Sequence, residues 1–203
     1  MIRQSRRIIM SSLVLLLGAC SILPKSDPLT VYQLPASSGI TATASQGLSA
    51  KSLIVFTPYS SDFLDTERIA VIPAGNRLSV YEGSRWGDPV PVVFRNRLIQ
   101  DFRRTNGLKA VGNPRENLLA NYQLRGDLTA FQVEFRRGQP TAVITFDASL
   151  TDGQSGRVIA SQHFSVAEPV DGRQVPEVVQ AFGEASTQIN NDIIQWVYRV
   201  AGK

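Results

Sequence analysis

The order of periodicities predicts an α+β fold: a mainly antiparallel sheet with two helices packed on one face, an αβ sandwich. Three observations predict it. Short segments rich in β-branched and aromatic residues, punctuated by Gly, Pro and Asn, fill 31–82. An apolar residue at every fourth position then marks a helix over 90–102. Finally, period-two alternation over 121–167 gives way to a second helical stripe after Pro176.

Taken in order, residues 31–35 (VYQLP) are expected to form a first short strand. The stretch 36–50, small and polar with Gly39 and Gly47, reads as a mobile loop. SLIVFTP (52–58) is an apolar run closed by proline and predicts a buried strand. ERIAVIP (67–73) and RLSVYE (77–82), the latter with Leu78 and Val80 on one side, form a hairpin around the turn residues 74–76 (AGN). The stretch YEGSRWGDP (81–89) ends this β region as a loop.

Asp88-Pro89 is a helix-start signal, with Asp88 as N-cap and Pro89 at the first helical position. Val90, Phe94, Leu98 and Phe102 form the apolar stripe, and Asn106-Gly107 ends it. Arg95, Arg97, Arg103 and Arg104 fall at other positions and read as a solvated face, or as one that meets an acidic partner or lipid headgroups. LKAVG (108–112) is a short strand, and three long strands with tight turns follow as an antiparallel meander. In the last segment Val178, Phe182, Ala185, Ile189, Ile193, Trp196 and Val200 recur at steps of three and four. This predicts a long helix that lays one stripe on the sheet and wets Gln180, Glu184, Gln188, Asn191 and Gln195.

The amino terminus has a different character. Arg3, Arg6 and Arg7 precede an apolar run from Ile8 to Ala19, the layout of a secretory signal. The run is shorter than the roughly 20 residues needed to span a bilayer. It ends at Leu17-Gly18-Ala19-Cys20, and Cys20 is the only cysteine of the chain. This segment resembles the bacterial lipobox. The resemblance implies a thioether-linked diacylglyceryl group on Cys20, cleavage after Ala19 and acylation of the new amino terminus, and two or more chains make such an anchor stable. An ordinary signal peptide with an incidental cysteine, or a buried thiol, is the alternative. Ser21 follows where an aspartate would retain such a protein in the inner membrane of enteric-type bacteria. Outer-membrane attachment facing the periplasm is therefore expected, with 1–19 as signal, 20–29 as lipidated tether and 30–203 as the periplasmic domain.

Composition narrows the function further. The chain has 203 residues and a formal charge of +4, but residues 1–19 contribute three arginines and no acid. The remainder is near neutral at +1, so the basic balance is no footprint of nucleic-acid binding. About 180 residues suffice for one cored domain. With Cys20 acylated no disulfide is available, and packing alone must hold the domain.

Catalytic patterns are weak. His163 is the single histidine, placed on a strand and facing solvent, and no G-x-S-x-G elbow accompanies it. One histidine and one lipidated cysteine cannot supply a zinc set. Asp62, Asp65 and Glu67 read as an acidic turn rather than an acid–base pair, and no phosphate-binding glycine loop is present. No enzymatic activity, cofactor or metal is expected, apart from the covalent lipid on Cys20.

YQLP at 32–35, the central block 63–102 and the closing amphipathic helix together resemble the ABC-type transport auxiliary lipoproteins. In that pattern Arg68-Ile69 leads through Leu78 and Tyr81 to Trp86 and then to Asp88-Pro89. The resemblance spans essentially the whole chain after Cys20. It implies a non-enzymatic partner of an MCE-type lipid transporter, docking the periplasmic substrate-binding protein whose permease and ATPase are separate subunits. Cargo would be phospholipid or another hydrophobic molecule, and a homo-oligomer is left open. Residues 59–67 and 83–88 are the expected partner surface, with Tyr59, Phe63, Arg85 and Trp86 named for it, although a tryptophan just before a helix start is more often a plug between helix and sheet. A lipid-carrying chaperone and a structural envelope lipoprotein remain as alternatives.

Overall fold

The computed structural model describes residues 29–43 and 47–202. Cys20, the signal segment and most of the tether lie outside the described residues. Eight strands form one sheet: β1 (Thr30–Tyr32), β2 (Ser52–Val55), β3 (Arg68–Ile72), β4 (Ser79–Trp86), β5 (Ala110–Gly112), β6 (Tyr122–Arg136), β7 (Gln139–Asp152) and β8 (Val158–Pro169). Helix α1 spans Val90–Thr105 and helix α2 spans Val175–Ala201. Helix α1 rests on β2 and β5, α2 on β7 and β8, and the two helices touch each other. The expected α+β sandwich is what forms.

The sheet is mixed, which the alternation alone did not reveal. Its long ladders, β6–β7 and β7–β8, are antiparallel, and so is the β3–β4 hairpin. Four short ladders are parallel: β1–β4, β2–β5, β2–β6 and β3–β6. The reason lies in strand length. β6 is 15 residues long, and its free edge accommodates two short strands end to end. β2 pairs with Tyr122–Leu124, Tyr59 bridges to Asp127, and β3 pairs with Gln132–Glu134. Residues 52–72 thus run alongside β6, leaving it only for the loop at 60–67.

A bulge at Thr129 explains a change of parity in β6. Leu124 and Leu128 sit at even positions, Phe131 and Val133 at odd ones, and all four are buried in the same cluster. Register slips between Leu128 and Ala130, opposite Phe146 and Thr145. The extra residue flips the pleat and keeps both apolar pairs under the helices. Across the ladder, Ala142, Ile144, Phe146, Ala148 and Leu150 of β7 keep one unbroken inward face.

Two boundaries differ from expectation. β4 continues to Trp86, so 83–86 is strand rather than loop. Helix α1 has Pro89 as its N-cap, with Pro91 in the first turn and no side-chain cap, so Asp88 does not take the N-cap role. The Val90 amide donates instead to the Thr66 carbonyl at 3.1 Å. At the other end Asn106 adopts φ 52° and terminates the helix as predicted. No helix among the described residues is long and apolar enough to cross a membrane.

Candidate functional site

Four residues were expected to form a partner surface, and they separate into two groups. Trp86 is fully buried and offers nothing to a partner, which corrects that expectation. Its ring packs edge-on against Phe131 at 5.9 Å and Phe182 at 5.5 Å, while those two rings stack at 4.6 Å. Strands β4 and β6 and helix α2 are locked together there. The Trp86 amide donates to the Glu67 carbonyl at 2.7 Å, and the Gly87 amide to the Tyr32 carbonyl at 2.9 Å. Trp86 is the plug.

The other three remain at or near the surface. Tyr59 is 75% exposed, beside the middle of β6. Phe63 is half-buried in the 60–67 loop. Arg85 forms an ion pair with Glu67, which relieves its like-charge opposition to Arg68 across the β3–β4 pair. Arg85 and the loop carrying Phe63 are thereby brought together. Of the acidic turn, Glu67 is committed to Arg85, while Asp62 and Asp65 are exposed.

The most constrained polar site escaped the sequence reading. Arg97 is 4% exposed and Asp101 is fully buried, so Arg97 does not belong to a solvated face. Arg97 Nε donates to Asp101 Oδ2 at 3.0 Å, one turn along α1. The same oxygen accepts from Asn190 Nδ2 of α2 at 2.8 Å and from Ser37 Oγ at 2.7 Å. Arg104 donates to Asp101 Oδ1 at 3.3 Å and to the Ser37 carbonyl at 3.1 Å. Burial pushes the Arg97 guanidinium below its ordinary pKa, and the charge and hydrogen bond of Asp101 oppose that shift. The signal was present in the i, i+4 Arg–Asp spacing, but both positions flank the apolar stripe and nothing local showed that the stripe was wide enough to cover them.

This cluster holds the segment after β1. Asn191 Oδ1 accepts from the Thr41 and Ala42 amides, each at 3.1 Å, and Ala42 and Leu48 are buried. The described parts of 36–50 are therefore packed against the helices, not a free loop. Pro35 lies so close to Gly183 of α2 that a Cβ there would sit 2.9 Å from the proline Cβ. The chain leading from the tether is strapped over the helices.

His163 lies on the outer sheet face, opposite Asp147, with Nδ1 and Oδ1 2.6 Å apart. Among the described residues no three of His, Cys, Asp or Glu gather as a metal set. The surface grooves are open, and the seam between helices and sheet is filled by Trp86, Phe94, Phe131, Phe146 and Phe182.

The comparisons agree with this architecture. A protein of Xanthomonas campestris assigned to family DUF330 superposes with a TM-score of 0.76 at 25% identity, covering 85% of this chain and 97% of that one. A hypothetical protein from Chlamydia trachomatis shares the fold at a TM-score of 0.51 and 6% identity, covering 75% of this chain and 98% of that one. A search of the curated proteins finds no match. The family model for the ABC-type transport auxiliary lipoprotein component matches residues 32–194, from β1 into the last turns of α2. The chain belongs to the ABC-type transport auxiliary lipoprotein family.

Proposed function

We propose that this protein is a non-catalytic, lipid-anchored subunit that docks the periplasmic substrate-binding protein of an MCE-type ABC lipid transporter at the outer membrane. The family match over 32–194 carries the auxiliary role in ABC transport. Cys20, at the end of a lipobox-like segment, supplies the anchor, and ATP hydrolysis belongs to a separate subunit. Tyr59, Phe63 and Arg85 are the contact residues proposed for the 59–67 and 83–88 region.

The filled seam favours docking over carriage. A lipid carrier needs a groove that takes an acyl chain, and here Trp86, Phe131 and Phe182 occupy the space between sheet and α2. The test is a pull-down from crosslinked cells, comparing the wild type with Cys20→Ala. An MCE protein and its permease should come down with the wild type and be depleted in the variant. Recovery of stoichiometric lipid without any transporter subunit would replace docking with carriage.

A further inference from the structure

The ends of the sandwich differ in charge, and the topology assigns each a direction. β6 runs from Tyr122 to Arg136, β3 is parallel to it, β4 antiparallel to β3, and β1 parallel to β4. β1 therefore runs against β6. Its entry, at Leu29, points toward the end of the sheet carrying the β6–β7 turn at 137–138 and the tip of the β3–β4 hairpin.

The far end collects cations. Lys51 precedes β2, Lys109 precedes β5, and Arg115 lies in the turn after β5. Arg157 closes the β7–β8 turn, and Arg103 and Arg199 sit in the last turns of α1 and α2. Two acids share this end with them. Glu116 pairs with Arg103 at 3.0 Å, and Asp152 holds its own turn by accepting from the Ser155 amide at 2.7 Å. Asp101 is nearby but buried and satisfied by Arg97 and Arg104. Six cations against two acids leave the rest of 20–203 with a net charge of −3, so the near neutrality of the domain conceals a dipole. Arg115 is close enough to Arg95 that its repulsion adds to burial in lowering the Arg95 pKa.

The same end is apolar at its tips. Leu119 is 97% exposed, and Val158 is exposed on the adjacent turn. Between Arg103, Lys109, Glu116 and Leu118 an open groove of about 390 Å³ lies beside Leu119. Apolar tips beside Lys51, Lys109, Arg115, Arg157 and Arg199, which form no ion pair among the described residues, make a surface suited to an acidic face with a protruding hydrophobic side chain.

We propose that this basic end is a further docking surface for an acidic protein face, in addition to the 59–67 and 83–88 region, and that the direction in which the chain enters at Leu29 turns it away from the membrane. An anionic bilayer has the same charge, but geometry disfavours it. Eight residues separate Cys20 from Leu29, and the nine Cα–Cα steps between them span about 30 Å at most. Thr30 is level with Ser84, halfway along the sheet, and the chain heads away from the basic end. To bring that end to the bilayer the tether would have to double back nearly fully extended. The orientation rests on the proposed anchor at Cys20.

The experiment uses the full acylated chain in phosphatidylcholine nanodiscs, with the periplasmic subunit of its own transporter as probe. Lys109→Glu/Arg115→Glu/Arg157→Glu should weaken binding by about tenfold or more, and salt should weaken the wild type similarly. Arg77→Glu/Arg137→Glu, at the other end, should leave the affinity within about twofold, as expected for charges outside the contact. An unchanged affinity in the triple variant, with an unchanged melting curve, would overturn the proposal. Intact mass reports acylation of Cys20 separately. If the wild type does not bind the probe, the docking reading fails, and a photo-crosslinker at Leu119 in cells decides the rest. A protein adduct, identified by mass spectrometry and lost in the triple variant, sustains the basic end as a docking surface. A lipid adduct at Leu119, no adduct, or a protein adduct indifferent to charge reversal sinks it.

Discussion

Asp101 shows how much one carboxylate can organise. It accepts hydrogen bonds from α1, α2 and the strap at once. Asp101→Ala should cost about 3–5 kcal/mol, because it leaves the Arg97 guanidinium buried without its counter-charge. Chemical denaturation measures this, and Arg97→Met/Asp101→Leu should recover much of the loss, since apolar replacement of a buried pair is often neutral. Trp86→Ala should cost a similar amount, about 3–5 kcal/mol, by opening a cavity in the three-ring cluster. Trp86→Phe should be milder, because the indole Nε1 has no acceptor among the described residues and its removal offsets part of the lost volume. Equal destabilisation by the two Trp86 substitutions in thermal melts would contradict that account.

At the scale of elements, the strap and the β7–β8 turn make separable predictions. Asn191 is the acceptor for both the Thr41 and Ala42 amides. Asn191→Ala should expose 36–50 to limited proteolysis while lowering global stability by only about 1 kcal/mol, the loss expected for modest, part-exposed hydrogen bonds. The β7–β8 turn responds to acid. Hydrogen bonds from the Ser155 amide and hydroxyl hold the Asp152 carboxyl below the usual carboxylate range. A depressed folded-state pKa contributes stability above the unfolded value, and that contribution is lost as pH falls through the folded one. An NMR titration should therefore give a midpoint below 3.8 for Asp152, with the Ser155 amide shifting in parallel. A midpoint at or above the ordinary value would mean the turn is not held by that charge.

For the whole molecule, the core is filled, and the proposed function rests on attachment and surface chemistry. Cys20→Ala should move the protein from the membrane pellet to the soluble fraction without altering the fold, because the proposed lipid site precedes β1 by ten residues. Fractionation together with circular dichroism checks both parts. If the variant stayed in the pellet, contacts of the domain itself would have to supply membrane attachment.

The sequence by itself determined the order of elements, the two amphipathic helices and the three-strand meander, because each rests on local periodicity that burial of one face enforces. It also determined the family, through the order of Arg68, Tyr81, Trp86 and Pro89 along the chain. Tertiary structure decided what periodicity does not encode. Two short strands share one edge of β6 because it is 15 residues long, and they pair parallel to it across separations of 62 to 69 residues, a relation that local periodicity does not encode. Arg97 became a core residue because Asp101 and Ser37 accept hydrogen bonds from it, while Asn190 of α2 donates to the same Asp101 oxygen. The charged end exists only after the turns at 109–116 and 157 and the last turns of both helices come together. Spacing along the chain records which face of an element is wet, and long-range packing decides which wet faces become neighbours.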